Sequence, residues 1–135
     1  MKVPVKEFMS KPVVTTTVDS NVAYVRELME RKDVSAIPVV ELREGYLKVR
    51  GIVTRYDLSG ITDERLPVTE VMSDELQVIP ADTSAIKAAG LMIEHGIHHL
   101  VIMEKGRLSG IISLMDFVRL LSEKKLRHFA SVIFV

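Results

Sequence analysis

The chain has 135 residues, with 18 Lys plus Arg against 18 Asp plus Glu and a formal net charge of zero. Neutrality argues against a grip on nucleic acid by phosphate neutralisation, and the absence of cysteine excludes disulfides, thiolate metal sites and cysteine nucleophiles. At 47% hydrophobic and 27% charged residues the composition is globular, and no apolar run reaches the roughly 20 residues that span a bilayer.

The opening stretch MKVPVKEFMSKP is charged and broken by proline, unlike a secretory signal, so the expected compartment is the cytoplasm. Within it, VKEFMS at Val5–Ser10 returns 63 residues on as VTEVMS at Val68–Ser73. The register holds through Asp19 and Asp82, Leu28-Met29 and Leu91-Met92, and Glu41 and Glu104. It then shortens to 59, where GIVTRYD at Gly51–Asp57 matches GIISLMD at Gly110–Asp116. The extra residues of the first copy, between Glu41 and Gly51, are expected at a hairpin tip, where added length costs little. The chain is one unit written twice, divided as 1–62 and 63–125, with 126–135 as a tail.

Each copy predicts the same elements in the same order. A short strand (Val13–Thr17; Leu76–Ile79) leads to Asp19-Ser20 or Asp82-Thr83, expected as helix N-caps. The helix that follows carries apolar residues at helical spacing: Val22, Val25, Leu28 and Met29, then Ala85, Ala88, Ala89 and Met92. A strand too apolar to be solvated on either face comes next, Ala36–Val40 or Leu100–Met103. A glycine-bearing hairpin then gives a third strand ending at Thr54 or Ser113, where a second helix starts; in the second copy it is expected to reach about Lys125. The fold class is thus α/β (α+β), two β-α-β-β-α units able to bury their sheets against each other. Met9 and Met72 hold equivalent places and are expected at the contact between repeats; the other methionines read as core filler. The tail His128–Val135 is apolar and β-branched, and reads as an extra strand or a surface covered by a partner.

The repeated Gly-x-x-[Ser/Thr]-x-x-Asp is the strongest chemical signal. Ser or Thr followed three residues later by Asp, after an apolar strand, caps a helix. The same geometry suits a ligand: a hydroxyl and free N–H groups meet a phosphate, and a carboxylate one turn on accepts from paired ribose hydroxyls. Together they fit a nucleotide better than a bare anion. His95, His98 and His99 form H-x-x-H-H, but His95 should end a helix while the pair opens a strand, and no carboxylate stands in fixed register, so no metal site is expected. Hydrolysis would need a nucleophile beside a base; Ser113, near His98, His99 and Asp116, reads as an N-cap instead, so no catalytic residue is expected. The Glu123–Arg127 run reads as a solvated helix end rather than a nucleic-acid patch.

In the order of these pieces the chain resembles a tandem pair of cystathionine β-synthase (CBS) domains, also called a Bateman module. The resemblance is carried by the lead-in V-x-E-x-M-S, the strand Ile37-Pro38-Val39-Val40 and the closing G-h-h-[ST]-x-x-D, from Val5 to about Leu121. It implies two repeats packed sheet to sheet with pseudo-two-fold symmetry, a homodimer, and a regulatory rather than catalytic role exercised on an unknown protein target. It also implies an adenosyl ligand (AMP, ADP, ATP or S-adenosylmethionine) in clefts between the repeats, with no catalytic cofactor. Carried over by residue, Asp57 and Asp116 would accept from the ribose, and Thr54 and Ser113 would meet a phosphate or ribose oxygen, with Arg55 beside the first. The adenine would lie against Ile37, Pro38 and Val39 or against Leu100, Val101 and Ile102, closed by Thr16, Thr17, Ile79 and Pro80. A basic residue at His98 or His99 would reach the phosphates. The second copy departs from the pattern with Val101 for Pro38, Ser113 for Thr54 and Leu114 for Arg55, which sets equal affinity of the two clefts in question. The alternative function is a structural dimerisation module with empty clefts.

Overall fold

The computed structural model describes residues 3–123, and these form two compact units of the same build. One unit is Val13–Leu76; the other joins the segment through Pro12 to the chain from Gln77 onward. The last predicted feature, the apolar tail His128–Val135, lies outside the described residues.

In the Val13–Leu76 unit, β1 (Thr16–Thr17) pairs parallel with β2 (Ala36–Arg43), and β2 pairs antiparallel with β3 (Tyr46–Thr54), in the order β1-β2-β3. Between β1 and β2 runs α1 (Val22–Lys32), and β3 passes directly into α2 (Arg55–Leu58). The apolar face of α1, Val22, Val25, Leu28 and Met29, packs with Ile37, Val39 and Val53 of the sheet and with Leu58 and Val68. Each such side chain contributes roughly 1.5–3 kcal/mol on burial.

The second unit repeats this with β4 (Val78–Ile79), α3 (Ala85–His95), β5 (His99–Glu104), β6 (Arg107–Ser113) and α4 (Leu114–Ser122). Its core gathers Val5, Ile79, Ala88, Met92, Leu100, Ile102 and Ile112. α4 closes at Ser122, with Glu123 already extended, short of the Lys125 expected from the sequence.

Two expectations are corrected. The helices are capped by Asn21, whose side chain accepts from the Tyr24 N–H at 2.9 Å, and by Ser84, which accepts from Lys87 N–H at 3.2 Å, rather than by Asp19-Ser20 and Asp82-Thr83. Ser20 is committed elsewhere: its hydroxyl donates to the Thr17 carbonyl at 2.7 Å and accepts from Thr16 Oγ1 at 2.8 Å, shaping the turn before the helix. The extra residues of the first copy also do not enlarge a hairpin tip. Both tips are two-residue turns with both residues left-handed, Glu44-Gly45 and Lys105-Gly106, the geometry that matches strand twist. The added length goes into the ladder, giving β2 and β3 8 and 9 residues where β5 and β6 have 6 and 7.

Each unit is completed by a lead-in segment. Val5 N–H donates to the Thr83 carbonyl at 2.8 Å, and Ser10 exchanges backbone bonds with Ile111 on β6 at 2.9 and 3.2 Å. In the other unit Val68 N–H donates to the Ser20 carbonyl at 2.9 Å, and Ser73 exchanges bonds with Ile52 on β3 at 2.8 and 2.9 Å. The two repeats of the V-x-E-x-M-S motif thus do one job: the segment reaches a sheet through its final serine. No described helix is long and apolar enough to cross a membrane.

Candidate ligand site

Each Gly-x-x-[Ser/Thr]-x-x-Asp lies at the corner where the third strand of a unit turns into a helix. The first glycine is needed for close approach. A β-carbon on Gly51 would fall 2.6 Å from the Ser73 carbonyl oxygen and 2.8 Å from the Met72 sulfur; one on Gly110 would fall 2.3 Å from the Met9 sulfur. Met9 and Met72, expected between the repeats, each lie on the motif glycine of their own compact unit.

At the first corner the helix-capping reading is realised in full. Thr54 Oγ1 accepts from the Asp57 N–H at 3.1 Å, and Asp57 Oδ2 accepts from the Thr54 N–H at 2.8 Å. Asp57 is half-buried, and among the described residues its Oδ1 has no partner. Arg55 is exposed; its N–H donates to the Ser35 carbonyl at 2.8 Å and its guanidinium to the Val34 carbonyl at 3.1 Å. Thr54 stands opposite Ala36, at the start of β2. Along β2, Ile37 and Val39 turn into the core with α1, and Pro38 alternates to the opposite face, paired with Ile52. Thr16, on β1 opposite Val39, is buried with its hydroxyl on Ser20, and Thr17 beside it is exposed.

At the second corner Asp116 Oδ2 accepts from the Ser113 N–H at 2.8 Å and from the Ser113 hydroxyl at 3.3 Å. Its Oδ1 accepts from the Ser10 hydroxyl at 3.0 Å and from Arg119 Nη2 at 2.5 Å, and the residue is only 2% exposed. Leu100 and Ile102 face the core, as does Ile79 on β4, with Val101 alternating to the other face and Pro80 exposed. His99 opens β5 opposite Ser113, and His98 is exposed with its carbonyl accepting from the Leu114 N–H at 3.2 Å. The structure therefore gathers the predicted residues into two sets, Thr16, Thr17, Ile37, Pro38, Val39, Thr54, Arg55 and Asp57 in one unit, and Ile79, Pro80, His98, His99, Leu100, Val101, Ser113 and Asp116 in the other. His95 ends α3, and among the described residues no three His, Asp or Glu side chains converge as metal ligands.

Sequence reasoning missed a pair of grooves on the helix side. The first, about 400 Å³, is lined by Arg26, Glu30, Arg55, Leu58 and Gly60; the second, about 450 Å³, by Ala89, Ile93, Ile97, Leu114 and Phe117. They occupy matching places in the two copies and differ in polarity. The signal was present in the sequence as Glu30 and Arg55 standing where the second copy has Ile93 and Leu114.

The comparison with known proteins decides the family. The family profile described as CBS domain matches residues 5–61 and again 68–123. The chain belongs to the CBS-domain family. A CBS domain-containing protein of Bacillus subtilis, YhcV, is 37% identical over 114 residues, covering 83% of this chain and 81% of that one. Inosine-5′-monophosphate dehydrogenase of Staphylococcus epidermidis is 32% identical over 106 residues, and the chain spans 22% of that enzyme's length. The CBS domain pair of protein MJ0100, solved with 5′-methylthioadenosine and S-adenosyl-L-methionine, aligns at a TM-score of 0.78 with 21% identity, over 90% of this chain and 97% of that one. The fold is therefore that of a CBS pair, and CBS-pair proteins are regulatory modules.

Proposed function

We propose that this CBS pair senses an adenosyl compound at the Thr54–Asp57 corner and transmits its occupancy to a separate protein. One observation carries the reading: Asp57 is held rigid through one oxygen by the Thr54 N–H, and its other oxygen has no partner among the described residues. A fixed carboxylate with an open oxygen is a ready acceptor for the vicinal hydroxyls of a ribose, and its ordering cost is already met in the free protein. Thr54 and the exposed Arg55 supply polar groups beside it. That the same fold holds adenosyl compounds in MJ0100 supports this choice of ligand class. Transmission follows from differential affinity: a ligand that prefers one arrangement of the protein raises its population, and a target that reads that arrangement responds.

Thermal unfolding with AMP, ADP, ATP, NAD and S-adenosylmethionine tests the reading. A binding ligand at 100 times its Kd adds roughly 2.7 kcal/mol of stability, and Asp57→Ala removes that gain. No shift with any of the five, or a shift unchanged in Asp57→Ala, sinks it.

A specific surface favours self-association as a second property. Ile86, Ile93, Leu114, Met115, Val118 and Leu121 are all exposed along α3 and α4. The matching face of α1 and α2 carries Glu30 and Arg55, which an apolar partner would desolvate without compensation. The occupant that fits is the same α3–α4 face of a second copy, an isologous contact.

A further inference from the structure

Asp57 and Asp116 close the same motif at the same corner, yet the chain around them differs at two decisive positions. The first is the residue two places after the lead-in serine. Ser73 is followed by Asp74-Glu75, and its hydroxyl oxygen accepts from the Glu75 N–H at 3.2 Å. Ser10 is followed by Lys11-Pro12, and proline has no N–H to give. The Ser10 hydroxyl has no such local donor to accept from, and it donates to Asp116 Oδ1 at 3.0 Å. The second is the residue three places after the aspartate. Gly60 brings no side chain to Asp57, whereas Arg119 brings a guanidinium to Asp116 Oδ1 at 2.5 Å.

An ionised carboxylate has about four acceptor positions. Asp116 fills them with the Ser113 N–H, the Ser113 hydroxyl, the Ser10 hydroxyl and Arg119. Asp57 accepts only from the Thr54 N–H among the described residues. A ribose diol arriving with two O–H donors finds room on Asp57. On Asp116 it must first evict Ser10 and Arg119, breaking a charge-assisted bond at a nearly buried carboxylate.

We infer that this protein takes one adenosyl ligand per chain, at Asp57, and that Asp116 is a clasp fastening the lead-in segment Val5–Ser10 to β6 and α4. Ser10 and Arg119 set the difference. The ligand half of this inference rests on the proposed reading of Asp57; the clasp half does not.

Two measurements decide it. In the first, ligand-free protein is melted. Asp116→Asn replaces one of two fully used oxygens by an amide that faces donors, and lowers the midpoint by roughly 5 °C or more. Asp57→Asn keeps a carbonyl for Thr54 and moves the midpoint by less than about 2 °C. Equal midpoints for the two variants overturn the clasp whether or not any ligand binds.

In the second, calorimetric titration with AMP, ATP and S-adenosylmethionine as probes gives a stoichiometry near one per chain for the best binder. Asp57→Asn abolishes it, and Asp116→Asn retains it. The double variant Ser10→Ala with Arg119→Gly, which mirrors the open surroundings of Asp57, raises the stoichiometry toward two. Two ligands on the unaltered chain, loss of the single site in Asp116→Asn with retention in Asp57→Asn, or a double variant still fixed at one would each overturn the inference. Silence from every probe on the unaltered chain instead refutes the proposed function, and the melting comparison still decides the clasp.

Discussion

The Met9 sulfur occupies the space a side chain at position 110 would need: a β-carbon on Gly110 would stand 2.3 Å away from it. The equivalent pair, Met72 and Gly51, is tighter in a different sense, because the Ser73 carbonyl oxygen would lie 2.6 Å from the added carbon. A thioether arm can rotate away, but a backbone oxygen engaged in the bridge to Ile52 cannot. Overpacking a core typically costs about 1–3 kcal/mol. Gly110→Ala is therefore expected near the lower end of that range and Gly51→Ala at or above its upper end. Urea unfolding of the two variants checks the order; Gly110→Ala as the more damaging change would contradict it.

This contact also shows why one part of the fold was legible in the sequence and another was not. The duplication placed Gly51 with Gly110 and Met9 with Met72, and the apolar spacing of Val22, Val25, Leu28 and Met29 marked the buried face of α1 correctly. Neither pattern said that each methionine meets its glycine inside one compact unit, since that depends on where the lead-in segment runs in space. The caps were misplaced for a local reason: Ser20 and Asn21 are both good capping residues, and only the bond from Ser20 to Thr17 shows which one is already occupied. The hairpin length was misread because two-residue turns at both tips leave extra residues nowhere to go but the strands. At the site, the sequence pointed to Asp57 and Asp116 alike. What separates them, Pro12 against Glu75 and Arg119 against Gly60, is written in the sequence but acquires meaning only once Ser10 and Arg119 are seen on one carboxylate.

Arg26 ties α1 to the end of α2 and to the chain that follows it. Its Nη2 donates to the Leu58 and Ile61 carbonyls at 2.7 and 2.5 Å, and its Nη1 pairs with Glu64. The second copy has Ala89 at this position, so the tie belongs to the first unit alone. Hydrogen bonds from a charged donor contribute about 1.5–3 kcal/mol, reduced here because the Arg26 side chain is 33% exposed. Arg26→Ala is expected to cost about 2 kcal/mol, and Arg26→Lys to recover only part of that because an ammonium lacks the guanidinium fork. Glu64→Gln, removing an exposed ion pair, should cost less than about 0.5 kcal/mol. Amide exchange over residues 59–63 should quicken in Arg26→Ala and remain unchanged in Glu64→Gln. Equal losses for Arg26→Ala and Glu64→Gln would show that the ion pair, not the carbonyls, holds the loop.

The exposed face of α3 and α4 gives the last test. Ile93 is 83% exposed and stands beside Leu114 and Phe117 on the larger groove. Apolar side chains left in water along two adjacent helices favour burial at about 25 cal/mol per Å², and only a partner surface of like character gains from covering them. A second copy seated on this face would set the same apolar residues, Ile93 and Val118 among them, against one another about a two-fold axis. Sedimentation of the unaltered protein at micromolar concentration should therefore give a dimer, with a melting midpoint that rises with concentration. Ile93→Lys combined with Val118→Lys places like charges across the axis and should give a monomer whose midpoint no longer depends on concentration. Tyr46→Lys, at the exposed hairpin tip of the other unit, adds the same kind of charge away from this face and should leave the dimer intact. Dissociation by Tyr46→Lys, or a dimer that survives the double change, would move the contact off α3 and α4. Because the axis relates the face to itself, the single change Ile93→Lys already introduces two charges, and its effect on dimerisation should approach that of the pair.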